Sequence, residues 1–271
     1  MNASLLKSGL LGLIVLSFLL GCHSYNIKPN ISSEDRFEVA KRMFRNKDYE
    51  EAKTQFKIVT LNSPGATFVD EAQFYLAECH FALKEYILAS DEYNRLVRLY
   101  PKSEFVDDAQ FKIALSDYKL SPKPPLDQKY TISAAANFQR FIEDFPNSDL
   151  VPEAERLLKI CRTKLAEKEF NTGGLYRKLD DCYAALVYYD SVLDQYYDTR
   201  FAHPALFWKG ECLYSLNRKD EALAAFNELL TKFPASSFKS KARERLQEID
   251  AELSKVRASD GKTSVNNQTK N

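Results

Sequence analysis

Apolar and polar residues recur along most of this chain with the spacing of amphipathic helices. From residue 33 onward, apolar side chains return at intervals of three, four and seven positions, which places them on one face of a helix. The 271 residues include 8 glycines and 10 prolines, so few positions would interrupt such helices. The pattern therefore predicts an all-α chain.

One apolar stripe occurs five times. In each copy an alanine precedes an aromatic residue by four positions, and another apolar residue follows at the seventh position. The pairs are Ala52–Phe56, Ala89–Tyr93, Ala134–Phe138, Ala185–Tyr189 and Ala222–Phe226. This regularity predicts five repeating units, with these stripes on the second helix of each unit.

A second stripe precedes each of the first. It places an aromatic residue, a small residue and another aromatic at fixed spacing: Phe37-Ala40-Phe44, Phe74-Ala77-Phe81, Phe111-Ala114-Tyr118, Phe170-Gly173 and Phe207-Gly210-Tyr214. The fourth copy has Arg177 where the last aromatic is expected. Small residues allow two helices to approach closely, and a proline follows the second helix in four units. These features resemble the tetratricopeptide repeat, which implies a right-handed solenoid of about five repeats with a C-terminal capping helix.

The proline positions give the expected boundaries. We expect repeats at 33–67, 68–104, 105–149, 150–200 and 201–236, a cap at 237–253 and a disordered polar tail at 254–271. The segment 120–131 contains three prolines in four residues, so it predicts a non-helical insertion inside the third repeat. The first helix of the fourth repeat should start near Val151 and run at least to Gly173–Gly174.

The N-terminus has the composition of an export signal. Lys7 precedes a short apolar run, Leu10 to Leu20, and Gly21-Cys22 follows. The run is too short to span a bilayer, which takes about 20 apolar residues. The segment from Leu19 to Cys22 resembles the bacterial lipobox, which implies a signal peptide at 1–21, a lipidated Cys22 and a tether at 22–32. An ordinary signal with a coincidental cysteine is the alternative. His23, in place of an aspartate, favours the outer membrane.

Charge and chemistry point away from several functions. The 38 basic and 38 acidic residues balance, so the chain has no long-range attraction for nucleic acid. His80 and His203 lie in different repeats, and we expect local contacts for each rather than a metal site. No catalytic or phosphate-binding motif occurs, so the sequence predicts neither an enzyme nor a cofactor. Cys79, Cys161, Cys182 and Cys212 are expected to be buried thiols, although an exported protein could pair them.

The remaining candidates for function are surface residues that could bind a partner. The first-helix phenylalanines form a column that could bind an extended apolar peptide or could pack on the next repeat. Because no repeat precedes the first one, Phe37 and Phe44 are the better candidates for binding, with the cations Lys41 and Arg45 beside them. In the fourth repeat, two tyrosines fall off the apolar stripe, and exposed tyrosine is enriched at interfaces. These candidates for a partner interface are Tyr188 and Tyr196.

The stretch 133–170, SAAANFQRFIEDFPNSDLVPEAERLLKICRTKLAEKEF, resembles the central segment of the BamD family of outer-membrane β-barrel assembly lipoproteins. The resemblance implies a lipid-anchored, non-enzymatic protein on the periplasmic face of the outer membrane. It also implies two partners, a BamA-like barrel insertase bound through its POTRA domains, and unfolded outer-membrane protein precursors.

In that family the N-terminal repeats are associated with precursors and the C-terminal repeats with POTRA contact. The resemblance thus assigns Phe37, Lys41, Phe44 and Arg45 to precursors. Better-known members carry an arginine at the position of Tyr188, so this chain requires a different contact there. The alternative function is an adaptor of another envelope system, such as a secretin pilotin or a cell-envelope coordinator.

Overall fold

The structure, a computed structural model, describes residues 30–268, with side chains as far as Lys255. The expected signal peptide, Cys22 and most of the tether lie outside these residues. Every regular element in the described range is an α-helix. In chain order they are α1 Ser33–Arg45, α2 Tyr49–Asn62, α3 Val69–Ala82, α4 Tyr86–Leu99, α5 Val106–Leu120, α6 Lys129–Asp144, α7 Val151–Lys178, α8 Cys182–Gln195, α9 Ala202–Ser215, α10 Lys219–Lys232 and α11 Lys239–Gln268.

The helices pack in the order in which they follow along the chain. Each helix from α1 to α10 contacts the next one, and additional contacts join α1 to α3 and α5 to α7. The first ten helices therefore form five consecutive hairpins, and α11 packs against α10 at the end. This arrangement confirms the predicted all-α repeat array and its final helix.

The predicted stripes form the interior. The alanine of each second-helix stripe is fully buried, and so is the aromatic residue four positions later. These buried aromatic residues are Phe56, Tyr93, Phe138, Tyr189 and Phe226. Aromatic side chains bury about 150–250 Å² each, so these five rings supply much of the apolar burial between the helices.

The small residues of the first helices receive these rings. A Cβ atom added at Gly210 would lie 2.7 Å from Cε1 and Cζ of Phe226, and one at Gly173 would lie 2.9 Å from Cε1 of Tyr189. The prediction was a close contact between small residues on the two helices. In the fourth and fifth repeats, the glycine also accommodates the aromatic ring one turn beyond the alanine.

The turns inside four hairpins share a conformation that the sequence did not indicate. The residues Lys47, Lys84, Asp180 and Asn217 adopt the left-handed region, with φ between 59° and 68°. In each case the next backbone N–H donates to the carbonyl oxygen five residues earlier, as from Asp48 to Met43 at 2.9 Å. This is the usual way to end a helix tightly, but glycine normally occupies the position.

The third hairpin has a structured insertion instead. The segment between α5 and α6 folds around the buried side chain of Gln128, whose Nε2 lies 2.8 Å from the carbonyl oxygen of Lys123 and 3.0 Å from that of Leu126. Its Oε1 accepts a hydrogen bond from Thr131 at 2.6 Å. The proline-rich segment is thus non-helical, as predicted, and one amide side chain satisfies its inward-facing backbone groups.

Gln128→Ala should therefore lower the free energy of unfolding by about 2 kcal/mol, because it removes the hydrogen bonds that the buried Gln128 side chain donates to backbone carbonyl groups and the one that it accepts from Thr131. Urea denaturation followed by circular dichroism measures this change. The control is Gln139→Ala, which removes an exposed amide that donates to Glu143. Equal stability of the two variants would contradict the role assigned to Gln128.

Two helices are longer than their equivalents. Helix α7 has 28 residues and continues through Gly173 and Gly174 to Lys178, so the glycines do not end it. Helix α11 continues to Gln268, the last residue that the structure describes, beyond the expected end of the cap near Ser254 and into the segment expected to be a disordered tail. No proline interrupts residues 239–268, so the backbone has no steric reason to leave the helix before its end.

Candidate functional site

Phe37, the first of the predicted precursor-binding residues, belongs to the interior. Its side chain is 3% exposed. Its ring stacks on Phe68 with centroids 5.0 Å apart and meets the edge of Phe56 at 6.0 Å. This ring was expected to be uncovered because no repeat precedes it. The start of the second repeat covers it instead, so Phe37 supports neighbouring side chains and offers no free face.

Lys41 lies one turn further along α1 and is held in place. Its Nζ is 2.7 Å from Oε1 of Glu71 on α3 and 4.9 Å from the centroid of Phe37. The hydrogen bond that Lys41 donates to Glu71 raises the pKa of Lys41, although partial burial opposes this shift. The ammonium group is therefore a fixed positive charge between α1 and α3.

Phe44 and Arg45 complete the predicted site at the end of α1. Phe44 is half-buried, with its ring at edge contact distance from Tyr49 and Tyr75, and Arg45 is exposed. Lys41 Nζ also lies 6.0 Å from the Tyr75 ring. The structure thus groups Lys41 and Phe44 around Tyr75, a residue that the sequence analysis did not select because it follows the stripe residue Phe74.

Tyr188 and Tyr196, the predicted partner-interface residues, both pack within their own chain. Tyr188 stacks on Tyr176 of α7 with centroids 5.3 Å apart, and the interaction with Tyr176 raises the pKa of Tyr188. Tyr196 is half-buried, with its ring centroid 5.7 Å from the Arg162 guanidinium carbon. Each tyrosine therefore presents only part of its side chain to a partner.

The same hairpin has two apolar side chains that are more exposed than Tyr188 and Tyr196 and that were not among the predicted interface residues. Tyr183 is 68% exposed and Val187 is 66% exposed, and they lie one turn apart on α8. We call this pair the α8 face. Both residues lie outside the stripe of Ala185, Tyr189 and Val192, which is fully buried. Their position outside the stripe was the feature of the sequence that could have indicated their exposure.

The histidines have local partners. Nδ1 of His80 lies 2.6 Å from Oε2 of Glu85, which also contacts Lys53. His203 lies 3.1 Å from the Ser236 hydroxyl, and burial lowers its pKa. Within the residues that the structure describes, no three His, Cys, Asp or Glu side chains are close enough together to hold a metal ion.

The four cysteines of the array are free thiols. Cys79, Cys161 and Cys212 are buried, as predicted, and Cys182 is partly buried. Burial raises the pKa of Cys79 to about 12 and that of Cys161 to about 11. Both thiols are therefore protonated at neutral pH. The helices described here include none with the length and apolar character needed to cross a membrane.

Comparison with known proteins gives a family match and one related sequence. A family model described as YfiO, outer membrane lipoprotein, matches residues 29–225. The outer membrane protein assembly factor BamD of Rickettsia prowazekii (strain Madrid E) is 30% identical over 129 residues, which cover 48% of this chain and 51% of the relative. The match thus spans about half the length of that relative.

Solved structures that match most of this chain have low sequence identity to it. A TPR repeats protein from Bacteroides fragilis NCTC 9343 is 12% identical with a TM-score of 0.45, and the match covers 82% of this chain and 99% of that one. A thermophilic TPR protein from Thermus thermophilus is 17% identical with a TM-score of 0.34, and the match covers 80% of this chain and 98% of that one.

Proposed function

This chain belongs to the YfiO family of outer membrane lipoproteins, and from that premise we propose that it is a non-enzymatic scaffold for the assembly of outer-membrane β-barrel proteins. The observation that carries the proposal is the family match over residues 29–225, which includes almost all of the five hairpins. The name of the relative from Rickettsia prowazekii, an outer membrane protein assembly factor, supports the assembly role.

The first proposed partner is a BamA-like barrel insertase, bound through its POTRA domains by the fourth and fifth repeats. The α8 face supports this proposal, because it exposes a tyrosine, a residue type enriched among interface anchors, beside a second apolar side chain. Tyr188 contributes at the edge of this surface, through the part of its ring that Tyr176 leaves accessible. Tyr188 therefore offers an apolar contact at the position where better-known family members carry a charged arginine.

The second proposed partner is an unfolded barrel precursor, bound at the first repeat. The strands of such precursors alternate apolar and polar residues. The group formed by Lys41, Phe44, Arg45 and Tyr75 combines aromatic edges with one cation held by an ion pair, Lys41, and one exposed cation, Arg45. It therefore suits an extended segment that carries an apolar side chain beside a carboxylate. Phe37 helps to position Lys41, because the Lys41 ammonium group lies over its ring.

Phe44→Ala should weaken the binding of a barrel-precursor peptide about tenfold, because it removes the aromatic anchor of this group. Fluorescence anisotropy with a labelled precursor peptide measures the affinity. The matched control is Phe81→Ala in the second repeat, since Phe81 meets Tyr86 edge-on as Phe44 meets Tyr49. If both variants bind like the wild type, or if both lose the same affinity, the first repeat is not the precursor site.

Depletion of the protein tests the assembly role. Outer membranes from depleted cells should contain less of many unrelated barrel proteins, while inner-membrane proteins keep their levels. Re-expression of the wild-type chain should restore the levels of the barrel proteins. Unchanged barrel levels would contradict the proposal, and the loss of one secretin alone would favour the pilotin alternative.

We also propose that a lipid on Cys22 holds the protein on the periplasmic face of the outer membrane. Two or more acyl chains anchor a protein stably, whereas one chain gives marginal binding. Cys22→Ser should therefore move the protein out of the floating outer-membrane fraction, while Cys182→Ser, which alters a thiol of the array, should leave it there. If the Cys22→Ser variant fractionates like the wild type, the proposal of a lipid anchor on Cys22 is wrong.

A further inference from the structure

One apolar face of α7 is uncovered although the equivalent face of other repeats is buried. Leu175 is 57% exposed. The repeat alignment places it level with three buried residues, Cys79, Ser116 and Cys212. Leu179, one turn later, is 66% exposed, whereas the leucines at its level are half-buried: Leu83, Leu120 and Leu216. In this respect the fourth repeat resembles an end of the array.

The length of α7 explains this exposure, because its 28 residues extend beyond the part that the preceding repeat covers. In the second, third and fifth repeats, the first helix packs on the second helix of the repeat before it, in the pairs α2–α3, α4–α5 and α8–α9. Helix α6 packs on α7 in the same way, but only along its first part, where Ala154, Leu157 and Cys161 join one buried cluster with Phe138 and Phe141. The C-terminal part of α7 extends further and packs with α8 and α9, where Phe170 and Tyr176 join another cluster.

The insertion covers only the middle of α7. Lys164 Nζ donates to the Ser121 hydroxyl at 2.6 Å, and Lys168 Nζ donates to the Leu126 carbonyl oxygen at 3.0 Å. Beyond Lys168 the face towards the third repeat is open at Leu175 and Leu179. The side chain of Leu126 is itself exposed. We call Leu126, Leu175 and Leu179 the α7 ledge.

We propose that the α7 ledge receives an amphipathic α-helix of a partner protein, in the place that the second helix of the preceding repeat occupies elsewhere in the array. The packing of the second repeat supports a helix as the occupant, because Cys79, the residue equivalent to Leu175, shares a buried cluster with Ala52, Phe56 and Val59 of the preceding helix α2. The proposal does not depend on the role in barrel assembly.

The charges around the ledge specify the partner further. Lys168 and Lys178 stand at the two ends of the exposed stretch, ten residues apart, which is about 15 Å along a helix. A docked helix of about three turns would span this distance. It should place apolar residues three or four positions apart against the leucines, an acidic residue towards Lys178 and a basic residue towards the exposed Asp180 that follows Leu179, since opposite charges favour one orientation.

A photo-crosslinking amino acid at Leu175 or Leu179 of the full-length lipoprotein, expressed in cells, tests this proposal. Leu61, an exposed residue on α2, is the control position. Mass spectrometry then maps the partner residues in each adduct. We expect both positions to react with one partner segment, at residues three or four apart, and with a yield at least tenfold above that at Leu61.

Two variants make the outcome decisive. Leu175→Asp should reduce the adduct at position 179 at least tenfold without lowering the melting temperature, because Leu175 is exposed. Lys178→Glu should reduce it more at low salt than at high salt. Adducts with a second copy, with residues 1–29 of the same chain, or with partner residues spaced by two as in a strand would each overturn the proposal, as would a yield equal to that at Leu61.

Discussion

Gly210→Val should lower the free energy of unfolding by about 3 kcal/mol, because the new side chain has no room against Phe226. The Cβ atom alone would lie 2.7 Å from two carbons of that ring. The ring cannot move aside easily, since it is fully buried and packs on Phe207 with centroids 5.8 Å apart. Helices α9 and α10 would have to separate, which would loosen the fifth repeat.

A competing effect is smaller and has the opposite sign. Replacing a helical glycine gains up to about 1 kcal/mol of helix propensity, and less for a β-branched residue. Overpacking outweighs this gain. Urea denaturation measures the difference, and amide exchange should show faster opening of α9 and α10. Gly65→Val is the control, because no atom lies within 4 Å of a Cβ added there. Similar stability of both variants would show that α9 and α10 tolerate a wider spacing.

The double variant Tyr183→Ser, Val187→Asp should weaken binding to the POTRA domains of the insertase about 100-fold. Both side chains are more than 60% exposed, so the variant should fold normally. The loss corresponds to about 2.8 kcal/mol, the size expected when two apolar anchors are removed and a charge is placed in an apolar interface. Isothermal titration calorimetry with a purified POTRA fragment measures the affinity, and circular dichroism checks the fold.

The second repeat supplies a matched control for this result. Ile87 occupies the position on α4 that Tyr183 occupies on α8, and it is 54% exposed. Ile87→Ser removes a comparable apolar side chain from a part of the array that we do not assign to the insertase, and it should leave the affinity unchanged. If the double variant binds as tightly as Ile87→Ser, the α8 face does not contact the POTRA domains.

The helices and the interior were predictable because they depend on local spacing. The alanine and aromatic residues of the five stripes are all fully buried, and a strict period of this kind allows a helix only one orientation towards its neighbours. The left-handed turn residues were not predictable in the same way. Lysine at Lys47 and Lys84 carries no signal for that conformation, and the packing of the hairpins imposes it.

The surfaces were harder to predict because exposure depends on how far neighbouring helices reach. Phe37 was expected to be uncovered, yet Phe68 of the following repeat covers it. Tyr188 was expected to face a partner, yet Tyr176 from α7 stacks on it. Leu175 occupies a position that is buried in three other repeats and is exposed here. The spacing of a single helix contains none of this information.

The most direct test of the central claim is affinity purification of the tagged full-length protein from detergent-solubilised outer membranes, with partners identified by mass. We expect a POTRA-bearing barrel protein to co-purify in near-stoichiometric amount, and to be lost with the Tyr183→Ser, Val187→Asp variant but retained with Ile87→Ser. Recovery of a secretin or a cell-wall enzyme, with no POTRA-bearing protein, would contradict the account.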